Sequence, residues 1–140
     1  MDISPELLEQ IVAHAREIPK EECCGVVAVE EGSSSSPVRA VRVYRARNIH
    51  ESALKFEIEP KELLALWQEI QREGWELGAI YHSHVRSPPY PSQTDISFAA
   101  SWPGVEWIIV GLTDPETPEM RSYVIEGGDV REVEIGQIAV

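Results

Sequence analysis

His82 and His84 stand one residue apart, Ser92 follows after seven more residues, and Asp95 after two beyond that. Imidazole nitrogens and carboxylate oxygens are ordinary zinc ligands. Three of them leave a fourth position for water, the arrangement of a catalytic rather than a closed structural site. Zinc lowers the pKa of such a water toward neutrality and makes hydroxide available as a nucleophile. A His-x-His pair alone is a weak signal, and Ser92-x-x-Asp95 before an apolar run is also a helix-capping box. The capping role of that segment is compatible with metal binding. The weight comes from placement: the histidines close a run, Leu77 to His84, that reads as a buried strand. Residues two apart on a strand face the same side.

The remaining elements must hold that strand end rigid and bring Asp95 back to it. Ser4-Pro5-Glu6 starts a helix, with a hydroxyl cap and proline at the first helical position. Leu7, Leu8, Ile11, Val12 and Ala15 then recur at helical spacing, which predicts a helix to about Ile18 with that stripe inward. Gly25 to Val29 and Val38 to about Arg47 read as strands, joined by a serine-rich solvated hairpin tip over Glu31 to Pro37. Leu54 to Ile58 alternates and predicts a half-buried strand. Pro60 opens a second helix with Leu63, Leu66, Trp67 and Ile70 on one face, closed by Gly74. Val85 to Thr94 is a loop with three prolines, and Asp95 to Ser101 a short helix. Val105 to Leu112 predicts a central strand, near-continuously apolar. Glu119 to Glu126 and Val130 to Ile135 complete the sheet around the turn Gly127-Gly128-Asp129. Interleaved helices and strands favour an α/β fold, a mixed sheet flanked by helices on its faces.

Bulk properties narrow the partners. A length of 140 residues suits one domain, 1–140, and the hydrophobic share of 43% and charged share of 26% are those of a globular protein. No apolar stretch approaches the roughly 18 residues of a membrane span. The start, Met1 to Pro5, lacks the pattern of a secretory signal, so the expected location is cytoplasmic. A net charge of −12 with no basic stripe argues against nucleic acid. Cys23 and Cys24 are adjacent and suggest no disulfide framework.

The spacing His82-Ser83-His84, seven residues, Ser92, two residues, Asp95 resembles the signature of the JAMM (MPN+, Mov34/MPN/PAD-1) zinc metalloproteases. A separate segment, Pro19-Lys20-Glu21-Glu22-Cys23-Cys24-Gly25, is similar to that family's Pro-x-x-Glu-x-Cys-Gly. The tracts Phe56 to Pro60 and Arg121 to Tyr123 are similar too, in the same order, so the resemblance spans nearly the whole chain. Tyr90-Pro91-Ser92-x-Thr94-Asp95 is typical of the short prokaryotic branch, which includes actinobacterial hydrolases that release cysteine from a sulfur-carrier protein. The resemblance implies a cytidine-deaminase-like three-layer α/β/α fold and zinc (Zn2+) bound by His82, His84 and Asp95. It implies Glu22 as general base, with Glu21 its rival, and Ser92 as the donor to the oxyanion. The implied partner is a small ubiquitin-fold or sulfur-carrier protein ending in Gly-Gly, cleaved at the amide that follows. The leaving group, cysteine or a protein lysine, stays open, as does the oligomeric state, a homodimer included.

Other residues and readings carry less. His14 and His50 have no paired neighbour and read as surface or helix-face residues. Cys24 reads as a small core residue, and Arg86 as a solvated loop residue or a contact for the substrate's tail. A non-catalytic scaffold of the same fold is the alternative, although such proteins usually lack the ligand set present here. A zinc deaminase would need His-x-Glu and Pro-Cys-x-x-Cys, which are absent. A (β/α)₈ barrel needs a longer chain.

Overall fold

A computed structural model describes residues 1–32 and 38–137. Eight strands form one sheet in the order β7-β6-β5-β4-β2-β3-β1-β8. The strands are β1 (Asp2–Ile3), β2 (Cys24–Glu30), β3 (Arg39–Ala46), β4 (Glu76–His84), β5 (Glu106–Gly111), β6 (Glu119–Glu126), β7 (Asp129–Val133) and β8 (Gly136–Gln137). The helices are α1 (Pro5–Glu17), α2 (Pro60–Arg72) and α3 (Gln93–Ala99). β4 and β5 are parallel neighbours, while β2 pairs antiparallel with both β3 and β4. The sheet is therefore mixed.

Side-chain alternation divides the core into two layers. Ile11 and Ala15 of α1 pack with Val27, Ala79, Tyr81, Ile108 and Val110 on one face. Leu63 and Ile70 of α2 and Ala99 of α3 pack with Val26, Ile80, Trp107 and Ile109 on the other. Helices thus cover both faces, as the interleaved pattern implied. α3 lies in the crossover between parallel β4 and β5. In open α/β sheets such crossovers place ligand groups beside the carboxyl ends of the strands. Among the described residues, no helix is long and apolar enough to cross a membrane.

Several expectations need correction. Leu54 to Ile58 forms no strand; only an isolated bridge joins Asn48 and Ile58. The Asn48 side chain takes over the pairing. Its amide donates to the carbonyls of Glu22 (3.1 Å) and Lys55 (2.9 Å), and its Oδ1 accepts from the amides of His50 and Glu57. α3 begins two residues before the expected start because Ser92 is its cap. Trp67, read as inward, is 41% exposed. The two-residue strands β1 and β8 carry no periodicity to detect. Of the expected hairpin tip, Glu31 and Gly32 are exposed, and positions 33–37 lie outside the described residues.

Gly25 is one position where glycine is required. A Cβ there would collide with the Tyr81 ring and the Tyr44 carbonyl. The close approach lets β2 lie flat against β4 just before the histidines, in the register Gly25 to Tyr81 and Cys24 to His82.

Candidate metal centre

His82 and His84 follow Ile80 at two-residue steps, so their rings turn to the face covered by α2 and α3. Both are buried, as is Asp95. His82 Nε2 lies 3.1 Å from His84 Nε2 and 3.0 Å from Asp95 Oδ2, and His84 Nε2 lies 3.3 Å from the same oxygen. Ligands at zinc-like bond lengths in a tetrahedron sit about 3.3 Å apart, so this triangle has the size of one face of such a site.

The proton inventory suits a cation there. His84 Nδ1 is 2.8 Å from the Pro88 carbonyl, which can only accept, so Nδ1 carries the proton. In a neutral ring Nε2 then presents a lone pair toward a carboxylate oxygen and a second imidazole nitrogen. Only a proton on His82 Nε2, whose Nδ1 has no partner, or a cation among the three atoms makes such a cluster attractive. This use of the distal nitrogen to orient a ligating histidine is common at metal sites. On the other side of the pair, the Phe56 ring stacks on His82 with centroids 4.3 Å apart. The residues present fit a divalent metal.

Asp95 reaches the site through the capping box. Ser92 Oγ accepts from the Asp95 amide (3.1 Å), and the Ser92 amide donates to Asp95 Oδ2 (2.9 Å). One oxygen therefore serves both the helix start and the histidine pair, so capping and ligation prove compatible in geometry. Because Ser92 Oγ accepts from backbone, its hydroxyl proton stays available to donate outward.

Glu22 completes the cluster: a carboxylate oxygen, His82 and His84 each offer an atom within 4.8 Å of the others. That spacing is looser than the triangle, so Glu22 stands beside the histidine pair. Its backbone is held at both ends. The Glu22 amide donates to Ser52 O (2.7 Å), and its carbonyl accepts from Asn48. The next residue is stitched to β4 between the histidines, Cys23 N donating to Ser83 Oγ (2.9 Å) and Ser83 N to Cys23 O (3.1 Å). Glu22 is only 4% exposed, and its Oε1 has no hydrogen-bond partner.

Electrostatics separate the two acids. Burial pushes the Glu22 carboxyl up to about 8, with His84 opposing and Asp95 adding to the rise. Burial would also raise Asp95, but contacts with His82 and His84 hold it well below the usual carboxylate range. Burial lowers His82, and the Asp95 carboxylate only partly offsets this. For His84 burial is outweighed by Asp95 and the Pro88 carbonyl, and its pKa rises. A charged, ligand-like aspartate thus sits beside a glutamate poised to exchange a proton near neutral pH.

All five residues singled out in the sequence converge here. His14 does not match its reading: it is buried, with Nδ1 2.7 Å from the Tyr81 hydroxyl on the opposite face. Its position three residues after Ile11, inside the apolar stripe, was the available signal. His50 also has a partner, half-buried Glu57. Cys24 is a buried core residue whose thiol burial pushes far up, which leaves it inert. Arg86 lies exposed in the loop after β4. Sequence reasoning gave no role to Asn48, or to Tyr123, whose hydroxyl donates to Pro89 O at 2.5 Å and braces the loop that orients His84.

Fold and site together define a JAB-type domain. Residues 4–126 match the family described as prokaryotic homologs of the JAB domain, and the chain belongs to it. It is 35% identical over 130 residues to the CysO-cysteine peptidase of Mycobacterium tuberculosis, covering 93% of this chain and 86% of that one. It is 33% identical over 115 residues to the desampylase of Pyrococcus furiosus, covering 81% and 74%. A probable TtuB-protein conjugate cleaving protease of Thermus thermophilus is 36% identical over 124 residues, covering 87% and 74%. Among solved structures, a protein from Desulfitobacterium hafniense superposes with a TM-score of 0.85 at 28% identity, covering 98% and 92%. A JAB1/MPN domain protein from Archaeoglobus fulgidus gives 0.63 at 20% identity, covering 99% and 100%, a likeness of fold alone.

Proposed function

We propose that this chain is a zinc-dependent hydrolase that cleaves the amide after the C-terminal Gly-Gly of a ubiquitin-like or sulfur-carrier protein. The released group is cysteine or a lysine-linked protein. The observation that carries the reading is the conjunction of the compact His82–His84–Asp95 triangle with a buried Glu22 beside it whose Oε1 has no partner. The names of relatives that act on CysO-cysteine, on TtuB conjugates and as desampylases support the substrate class.

His82, His84 and Asp95 would hold the zinc, which when bound supplies a Lewis acid and a water of lowered pKa. Glu22 takes a proton from the attacking water and returns one to the leaving amine. A carboxyl shifted to about 8 suits both transfers near neutral pH. Glu21, the rival base, has no place in the cluster that Glu22 forms with the histidines. The Ser92 hydroxyl donates to the oxyanion of the substrate carbonyl, a contribution of a few kcal/mol in comparable sites. A glycine-ended tail is thin enough to lie extended beside a sheet edge and bond through its backbone.

The test is cleavage by the zinc-loaded protein of a panel of carrier–cysteine and carrier–lysine amides. Turnover of at least one, lost on chelation and restored by zinc, is the expected result. No cleavage across the panel with zinc bound would return the chain to a scaffold role.

A further inference from the structure

A second concave feature lies at the same end of the sheet as the metal centre. A cavity of about 460 Å³ is lined by Arg16, Lys20 and Arg86 among Val85, Leu112 and two prolines, and by no acidic residue. The chain has 12 basic and 24 acidic side chains, so three cations around one acid-free hollow run against its overall balance. Among the described residues, Lys20 and Arg86 form no ion pair. Arg16 is held at the rim, its Nε donating to Pro115 O (3.3 Å) and its guanidinium 4.0 Å from exposed Glu9. Mutually repelling cations gathered in a cavity raise the local concentration of an anion and stabilise it once bound.

The cavity lies on the α1 side of the sheet, and segments that carry the metal centre run into its lining. Lys20 precedes Glu22 by two residues, and Arg86 follows His84 by two. The Cys23–Ser83 bonds tie these segments together, and Leu112 N donates to His84 O at 3.0 Å. Val85 is offset from His84 by one residue, so the cavity opens around the corner of the strand end from the ligands. A leaving group that extends from the scissile nitrogen past the strand end toward α1 would meet these cations.

We infer that Arg16, Lys20 and Arg86 form a carboxylate subsite for the leaving group; the inference rests on the hydrolase reading above. In the reaction, water adds to the carrier's terminal carbonyl and the C–N bond breaks. The carrier keeps a carboxylate, and the amine departs with the transferred proton. The leaving group's own carboxylate takes no part in bond making; it is held by the guanidinium fork and the ammonium. Two sources present that chemistry: the α-carboxylate of a single amino acid, or an acidic side chain next to a conjugated lysine.

Two substrate pairs separate them. In one, a Gly-Gly-ended carrier is joined to cysteine bearing either a free α-carboxylate or an α-carboxamide. In the other, it is joined to a lysine of a short peptide followed by either aspartate or asparagine. In at least one pair, kcat/KM for the acid should exceed that for its neutral twin by about tenfold to a hundredfold. The pair that discriminates identifies the source. The ratio should fall toward one in the Lys20→Ala, Arg86→Ala double variant, persist largely in Arg86→Lys, and shrink with added salt. Equal cleavage within both pairs by the wild type, or an undiminished ratio in the double variant, overturns the subsite. Absence of cleavage in every arm instead removes the hydrolase reading, and the subsite falls with it.

Discussion

Replacing Glu22 by glutamine should make the metal-free protein more stable and the zinc-loaded protein nearly inactive. Glu22 is buried with an unpartnered oxygen, and its carboxyl is pushed from 4.5 up to about 8. The folded state therefore binds a proton more tightly than the unfolded chain. A stability contribution fully present below 4.5 is lost as pH rises through 8. At 1.36 kcal/mol per pH unit the whole interval caps the cost at about 5 kcal/mol. At pH 7 roughly 2.5 pH units have been crossed, about 3 kcal/mol, and water reaching an open site reduces this to ~2 kcal/mol. Glutamine keeps the shape and cannot ionise. Urea unfolding of chelated wild type and Glu22→Gln should coincide near about pH 4 and differ by ~2 kcal/mol at pH 7, the variant being the more stable. With zinc restored, turnover should fall about 10²- to 10⁴-fold. A pH-independent gap, or a variant less stable at neutral pH than wild type, would show that Glu22 is not held protonated by burial. Near-normal turnover would take the base role from Glu22 and point to Glu21.

Three further substitutions probe the surroundings. His84→Ala should abolish tight zinc binding, read as metal per chain by elemental analysis after dialysis; one equivalent retained would place the ligands elsewhere. Asn48→Ala should cost about 3 kcal/mol in denaturant unfolding, since it leaves the Glu22 and Lys55 carbonyls and the His50 and Glu57 amides short of partners. A loss under about 1 kcal/mol would mean that water replaces the side chain. Ser92→Ala should lose roughly 1 kcal/mol of capping and about 10²- to 10³-fold in kcat, while Ser92→Thr keeps most of both. A drop in stability without a drop in kcat would confine Ser92 to the cap.

Much of the fold follows from short-range pattern. Ser4-Pro5 and Pro60 start helices because a fixed φ and a missing N–H are harmless at a first turn. The run from Ala79 to His84 is buried because it sits between two neighbours in the sheet. The same locality explains the failures. Leu54 to Ile58 alternates like a strand, yet one buried asparagine several residues away supplies the bonds a partner strand would give. His14 looked solvent-bound by type, but its helix lies over β4, where the Tyr81 hydroxyl offers a partner 67 residues distant.

Local pattern dictates the ligand types, the two-residue step that turns both histidines to one side, and the cap that aims Asp95 back toward them. These depend on strand and helix geometry, which neighbouring residues dictate. Long-range packing brings His82, His84 and Asp95 within 3.3 Å of one another and sets the Pro88 carbonyl against His84. It also leaves Glu22 buried with an unpartnered Oε1. Glu22 and His82 lie sixty residues apart, and the antiparallel pairing of β2 with β4 joins them. That pairing is chosen by burial and long-range hydrogen bonds, which no local window contains. The pKa of an acid likewise depends on everything packed around it, so Glu22 and Asp95, alike in ionisation as free side chains, part company only in the folded site.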